Sequence, residues 1–295
     1  MSRPELTERA AELRHQRAAF VHARVVLAER PTSAKPGDEA IVLPDGTIEG
    51  FVGGDCAEST VRAQSLALLD SGETLLLRIT PEPEPDQGGK LVVHNPCLSG
   101  GTLEIFLEPN IPVPYVVVAG DSPVARALVE LGGPLRYDVH PYAGEVPADT
   151  AAVVVASHGR GEEALLTEAL RAGVPYVGLV ASRKRGEAVV GALDVCESMR
   201  SHVVTPAGLD IAARTAEEIA LSILADIVAR RPRPTGRPIT AAETPAKDAV
   251  DPVCGMTVAA VDSSLHLDHH GERVWFCGSG CLRAFAADPG SYDRG

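Results

Sequence analysis

The chain has 295 residues, 45% of them hydrophobic, and a formal net charge of −13. That length suggests about two domains with real cores, and the acidic balance excludes nucleic-acid binding through bulk electrostatics. No apolar run reaches the ~18 residues of a membrane span, and the opening MSRPELTERAAELRHQR carries no secretory apolar core, so a cytoplasmic protein with no membrane partner is expected.

The first block runs to about Glu108. It opens with a helical stretch over Glu5–Arg17, then strands at Phe20–Ala28 and Ala40–Leu43 and a Pro-Asp-Gly-Thr turn at Pro44–Thr47. The run GFVGGDCAEST, residues 50–60, bends at Gly53 and Gly54 and enters a helix ending near Asp70. Asp55 is placed to cap that helix, with Glu58 at its third position and Cys56 at its first. Free N–H groups and the positive dipole end lower a thiol's pKa there, while Asp55 and Glu58 push the other way. The glycines admit a ligand to the backbone, and with the helix start they can cradle an anion. A tight turn with a small buried cysteine is the simpler reading. Strands at Leu75–Ile79 and Leu103–Leu107 flank an acidic loop, PEPEPDQGGK, at 81–90.

The second block runs from Pro114 to about Arg231. Its short β-branched runs, Tyr115–Ala119, Ala152–Ala156 and Tyr176–Val180, are followed by helix-like segments at Pro123–Leu131, Glu162–Ala172 and Lys184–Leu193. This alternation predicts βαβ units and a parallel sheet. Thr215 and Glu218 make a capping box for a closing helix. The segment GDSPVA, from Gly120 to Ala125, stands where a dinucleotide fold has G-x-G-x-x-G/A, yet Ser122 replaces the second glycine. The acidic residue that would hold a ribose is missing, with His140 roughly in its place. A nucleotide-dependent oxidoreductase is therefore an alternative, not the leading reading. Ser157-His158 and Ser182-Arg183-Lys184-Arg185 follow strand ends, where ligands of such sheets sit. The Ser-Arg-Lys-Arg run opens a helix and suits a phosphate, or it is a solvated basic face. His158 is a loop residue or a catalyst, and Asp210 caps or contacts a ligand; both stay open.

Residues 232–250 hold four prolines and read as an extended linker. The block at 251–295 contains half of the six cysteines and is small enough to need a staple. Cys277 and Cys281, four positions apart, can share one helix face, with Cys254 closing a site. Three soft thiolates beside Met256 favour Zn²⁺ or Cu⁺, with His266, His269 and His270 as alternative fourth ligands. A small apolar domain with buried thiols is the plainer reading.

GFVGGDCAE resembles the N-terminal signature of the XdhC/CoxF family, maturation factors for xanthine and carbon monoxide dehydrogenases. PCLSGGTLEIFLEP (96–109), YVGLVASRKR (176–185) and TPAGLDIAARTAEEIALSILADIV (205–228) extend that resemblance over roughly residues 15–230. The family's usual G-A-G-H-V-A has Ser122 and Pro123 at its third and fourth positions here. DPVCGMTV, VWFCGSGCLRAF and DPGSY in the last block resemble a YHS domain. The resemblances imply an α/β protein. It would have an N-terminal α+β domain at 1–112, a Rossmann-like parallel-sheet domain at 113–231 and a Cys-rich YHS-like metal-binding module at 251–295. They imply a carrier more than a turnover enzyme. It would hold a molybdopterin-type molybdenum cofactor between the first two blocks, protect it during sulfuration, and deliver it to an apo-hydroxylase. A sulfur donor such as a cysteine desulfurase would be a second partner, and a homodimer is expected. Cys56 would face the metal or a transferred sulfur, with Cys97 a weaker second candidate. Gly53, Gly54, Asp55, Glu58, Gly120, His158, Ser182, Arg183, Lys184 and Asp210 would contact the cofactor. A metal chaperone acting through Cys254, Cys277 and Cys281 is the third reading.

Overall fold

The computed structural model describes residues 1–85, 88–95, 101–157, 159, 161–231 and 248–292. The expectations placed on Cys97, on His158 and on most of the linker lie outside these residues. The chain forms two compact units, Met1–Pro112 with Arg233–Gly295, and Val113–Pro232.

In the first unit, α1 (Arg3–His15) begins at a capping box in which Glu5 accepts the Ser2 N–H at 2.7 Å. Strands β1 (Phe20–Ala28), β2 (Glu39–Val42) and β3 (Ile48–Gly50) precede α2 (Asp55–Ser71), and β4 (Leu75–Thr80), β5 (Leu91–His94) and β6 (Leu103–Asn110) follow it. They form a sheet in the order β3-β2-β1-β6-β4-β5, antiparallel except for the β4–β5 pair. Alternation along β1 and β2 sorts the core. Val21, Ala23, Val25, Ala40 and Val42 pack with Val61 and Leu68 of α2, while Phe20 and Ile41 meet Leu6, Ala10 and Leu13 of α1. Gly72, in the left-handed conformation, ends α2 by donating to the Leu68 carbonyl at 2.8 Å.

The same unit contains the C-terminal segment. Strands β12 (Asp248–Val250) and β13 (Thr257–Ala259) form one hairpin, β14 (Leu265–His269) and β15 (Glu272–Phe276) another, and α8 (Ser279–Ala287) closes it. β12 occupies the last three positions assigned above to the linker, so the module starts a strand earlier than expected. Phe276 and Phe285 make its small core. It lies against the first block, where Ser263 Oγ donates to the Asp45 carbonyl at 2.9 Å and a Cβ at Gly46 would strike Ser263 Oγ.

In the second unit, β7 (Tyr115–Ala119), β8 (Asp138–Pro141), β9 (Thr150–Val155), β10 (Tyr176–Leu179) and β11 (Val203–Val204) form an all-parallel sheet in the order β11-β10-β9-β7-β8. Helices α3 (Pro123–Gly132) and α7 (Ala216–Arg230) cover one face, and α4 (Glu162–Arg171) and α5 (Arg183–Ala192) the other. A short α6 (Glu197–Arg200) precedes β11. Val116 and Val118 point to the first face and Val117 and Ala119 to the second, which explains the unbroken apolar strands. The Thr215–Glu218 capping box opens α7 as expected. The expected Rossmann-like architecture is therefore present. Among the described residues, no helix is long and apolar enough to cross a membrane.

Gly120 has φ +110°, and a Cβ there would lie 2.4 Å from the Ala156 carbonyl oxygen. Gly120→Ala should lower stability by about 1–3 kcal/mol, read as a lower urea midpoint at unchanged slope.

Candidate functional site

Cys56 enters the structure on a turn that only glycine can make. Gly53 has φ +143°, and a Cβ there would sit 2.9 Å from Ala57 Cβ. Gly54, in extended backbone, is the N-cap of α2, and its carbonyl accepts the Glu58 N–H at 3.0 Å. This corrects the expected capping: Asp55 is the first helical residue, Cys56 the second, and no side chain caps the helix. The Asp55 carboxylate is used elsewhere. Its Oδ2 accepts the backbone N–H of Ser279, first residue of α8, at 3.1 Å. Hydrogen bonds from Ser279 hold the Asp55 carboxyl below its ordinary pKa. Glu58 is half-buried facing Arg62; burial raises its pKa, and the Arg62 charge offsets part of the rise.

The three tail cysteines come together, in a geometry different from the one their spacing suggests. Cys277 precedes α8, Gly278 is the helix N-cap, and Cys281 lies in the first turn. The pair does not share a helix face. Their sulfurs are 3.7 Å apart, and the Cys254 sulfur lies 3.5 Å from that of Cys277. Asp251, fully buried, completes a group whose candidate ligand atoms all lie within 4.8 Å of one another. Sequence reasoning missed it, although Asp-Pro-x-Cys-Gly is a turn signature. Its Oδ1 accepts the Val253 N–H at 2.9 Å, and its Oδ2 accepts the Cys277 N–H at 2.8 Å. One carboxylate thus orients both the Cys254 turn and the end of β15. Among the described residues no histidine joins this group. His266 hydrogen-bonds the Ser264 carbonyl at 2.8 Å, His269 packs edge-on against Phe285, and His270 occupies the hairpin turn with φ 50°.

Cys56 lies beside this group, packed against it but outside the set whose ligand atoms are all within 4.8 Å of one another. It packs with Cys254, Cys281 and Trp275 around buried Met256, Val258 and Cys277. Hydrogen bonds to the Cys254 and Cys56 sulfurs raise the Cys277 thiol pKa above its ordinary value, and burial adds to that. Burial and the Asp251 charge push Cys281 up to about 12. The hydrogen bond between the Cys254 and Cys277 sulfurs lowers the Cys254 thiol pKa. A cavity of about 1110 Å³ opens beside them, lined by Cys56, Cys254, Cys277 and Cys281, with Arg30 and Arg283 also on its wall.

The remaining expected contacts stand in the second unit. Ser122 Oγ accepts the Ala125 N–H at 3.1 Å, and Pro123 has no N–H. Two donors that a pyrophosphate would use at the start of α3 are therefore gone, which weighs against the nucleotide reading. Ser182 caps α5 by accepting the Arg185 N–H at 3.4 Å. Arg185 is bound to buried Glu162 at 2.6 Å, while Arg183 and Lys184 are exposed. Asp210 is exposed and accepts the Ala212 N–H at 3.4 Å.

Residues 13–80 match the family model described as "XdhC and CoxI family", and residues 116–227 match the one described as "XdhC Rossmann domain". Together these cover most of the chain, and the protein belongs to the XdhC and CoxI family. It is 25% identical to the uncharacterized protein YqeB of Escherichia coli (strain K12), over 90% of this chain and 53% of that protein. The chain thus spans about half the length of that curated relative. A crystal structure described as a xanthine dehydrogenase from Bacillus halodurans aligns over 81% of this chain and 98% of that one, at 16% identity and a TM-score of 0.35.

Because Glu58 has a raised folded-state pKa, its contribution favours folding most when it is protonated, and stability is lost as pH rises from 4.5 through the raised value. Glu58→Gln should be more stable than wild type near about pH 7, with the margin closing near about pH 4, as read by urea midpoints.

Proposed function

We propose that this protein is a cytoplasmic maturation factor for a molybdenum hydroxylase of the xanthine or carbon monoxide dehydrogenase type. It holds a molybdopterin-type molybdenum cofactor while the metal is sulfurated with a sulfur donor such as a cysteine desulfurase, then passes it to the apo-enzyme. Family membership supports the role. The observation that carries the reading is the cavity of about 1110 Å³ onto which the Cys56 thiol faces from the start of α2.

The residues present fit such a ligand. The volume suits a group at or above the ~300–1,000 Å³ range of small-molecule sites. Cys56 offers a soft sulfur donor for a molybdenum–sulfur centre. Arg30 and Arg283 offer guanidinium forks for a phosphate, and Ile79, Leu103 and Met256 supply apolar wall. When bound, the cofactor supplies the molybdenum centre that the client needs. The chain itself binds, orients and shields it from water, which calls for a carrier and no turnover chemistry. Cys254, Cys277 and Cys281 bind Zn²⁺ or Cu⁺, a reading favoured by their clustered sulfurs.

The full chain, purified gently from cells making the cofactor, should carry pterin and molybdenum in equal amounts. Losing one charge-assisted contact, about 1.5–3 kcal/mol, should cut retained pterin about tenfold in Arg283→Ala. Cys56→Ser should impair activation of a co-expressed client hydroxylase. A pterin-free full chain, with client activation indifferent to Cys56, would refute the proposal.

A further inference from the structure

The geometry points to Cys56 as the fourth ligand of a tetrahedral Zn²⁺-type site completed by Cys254, Cys277 and Cys281, so that metal occupancy and cofactor handling at Cys56 exclude one another. This rests on the metal-binding part of the proposed function and goes beyond it, because it joins two thiol sets that lie some two hundred residues apart in the chain.

Tetrahedral Zn²⁺ with Zn–S bonds of about 2.3 Å sets its sulfurs about 3.8 Å apart. The Cys254–Cys277 and Cys277–Cys281 separations of 3.5 and 3.7 Å are already near that value. Three tail thiols leave one vertex open. Asp251 is a poor occupant: its two oxygens accept the Val253 and Cys277 N–H groups, and turning it toward a metal would abandon the bonds that shape two ligand-bearing segments. Met256 offers only a neutral thioether, whereas Cys56 offers a thiolate; the Cys56 side chain already packs against the cluster, outside the 4.8 Å group, and moves in to close the vertex when the metal binds.

Gly278 supplies a second, independent sign. Its φ of −166° is extended backbone that any residue adopts, so conformation does not call for glycine. A Cβ there would stand 3.1 Å from the Cys56 sulfur and 3.4 Å from Asp55 Cβ. The missing side chain is what admits Cys56 to the tail thiols. On binding, each thiol gives its proton to solvent and a metal–sulfur bond forms, with no change of oxidation state. The resulting dianionic site would face the N-termini of both α2 and α8, and Arg283 on the cavity wall, all of which favour negative charge. While Zn²⁺ is bound, the Cys56 sulfur is committed to it. When Zn²⁺ leaves, Cys56 faces the cavity.

The test is a Zn²⁺ titration of the reduced, metal-free full chain against a chelator, with iodoacetamide labelling of each cysteine read by peptide mass spectrometry. One equivalent should bind and protect all four cysteines together. Cys56→Ser should weaken Zn²⁺ binding at least about tenfold and reduce the Cd²⁺ thiolate charge-transfer band by about a quarter. Gly278→Val, which keeps every thiol, should weaken binding similarly and keep Cys56 labelling fast. Zn²⁺ that binds wild type with Cys56 still labelled at the metal-free rate would overturn the inference and leave a three-cysteine tail site standing. Failure of wild type to bind Zn²⁺ would overturn both.

Discussion

Two helices start at the same place. The Asp55 carboxylate on the first turn of α2 accepts the N–H of Ser279 on the first turn of α8, at 3.1 Å. A carboxylate at a helix N-terminus is favoured by both the free N–H groups and the dipole, and the depressed Asp55 pKa keeps it charged at neutral pH. With the Ser263–Asp45 hydrogen bond and the close approach at Gly46, this clamp holds the tail on the first block. It sets Cys56 beside Gly278, and so beside Cys277 and Cys281. It places Arg283 on the cavity wall.

The second unit keeps the parallel-sheet fold while the start of α3 lacks two donors that a pyrophosphate would use. Gly120 is required because β7 and β9 approach so closely there, whether or not a nucleotide binds. Pro123 and the Ser122 hydroxyl then take away donors that a pyrophosphate would need. Glu162 fixes Arg185 and accepts the Gly159 N–H at 2.7 Å, so part of the apparently basic run has a structural task.

Much of the fold was legible in the sequence. YVVVA and AVVVA read as parallel strands because both of their faces are buried, and Thr215 with Glu218 marked the start of α7 through a purely local interaction. The three-residue β3 and the four-residue β5 carry no strand signal of their own and are defined by pairing with β2 and β4. The site was legible only in pieces. Cys56 and the tail cysteines were each singled out, but as separate sites. Capping rules are local and point to Asp55 as a cap, whereas the partner of its carboxylate lies 224 positions away. The four-residue spacing of Cys277 and Cys281 suggested a shared helix face, yet Gly278 starts the helix between them. Convergence of this kind is a property of packing, and no spacing rule encodes it.

The central claim is that one thiol from the first block and three from the tail make a single site. X-ray absorption at the zinc edge of the Zn²⁺-loaded full chain measures this directly. The account predicts four sulfur scatterers at about 2.3 Å. Three sulfurs with one oxygen or nitrogen would contradict it.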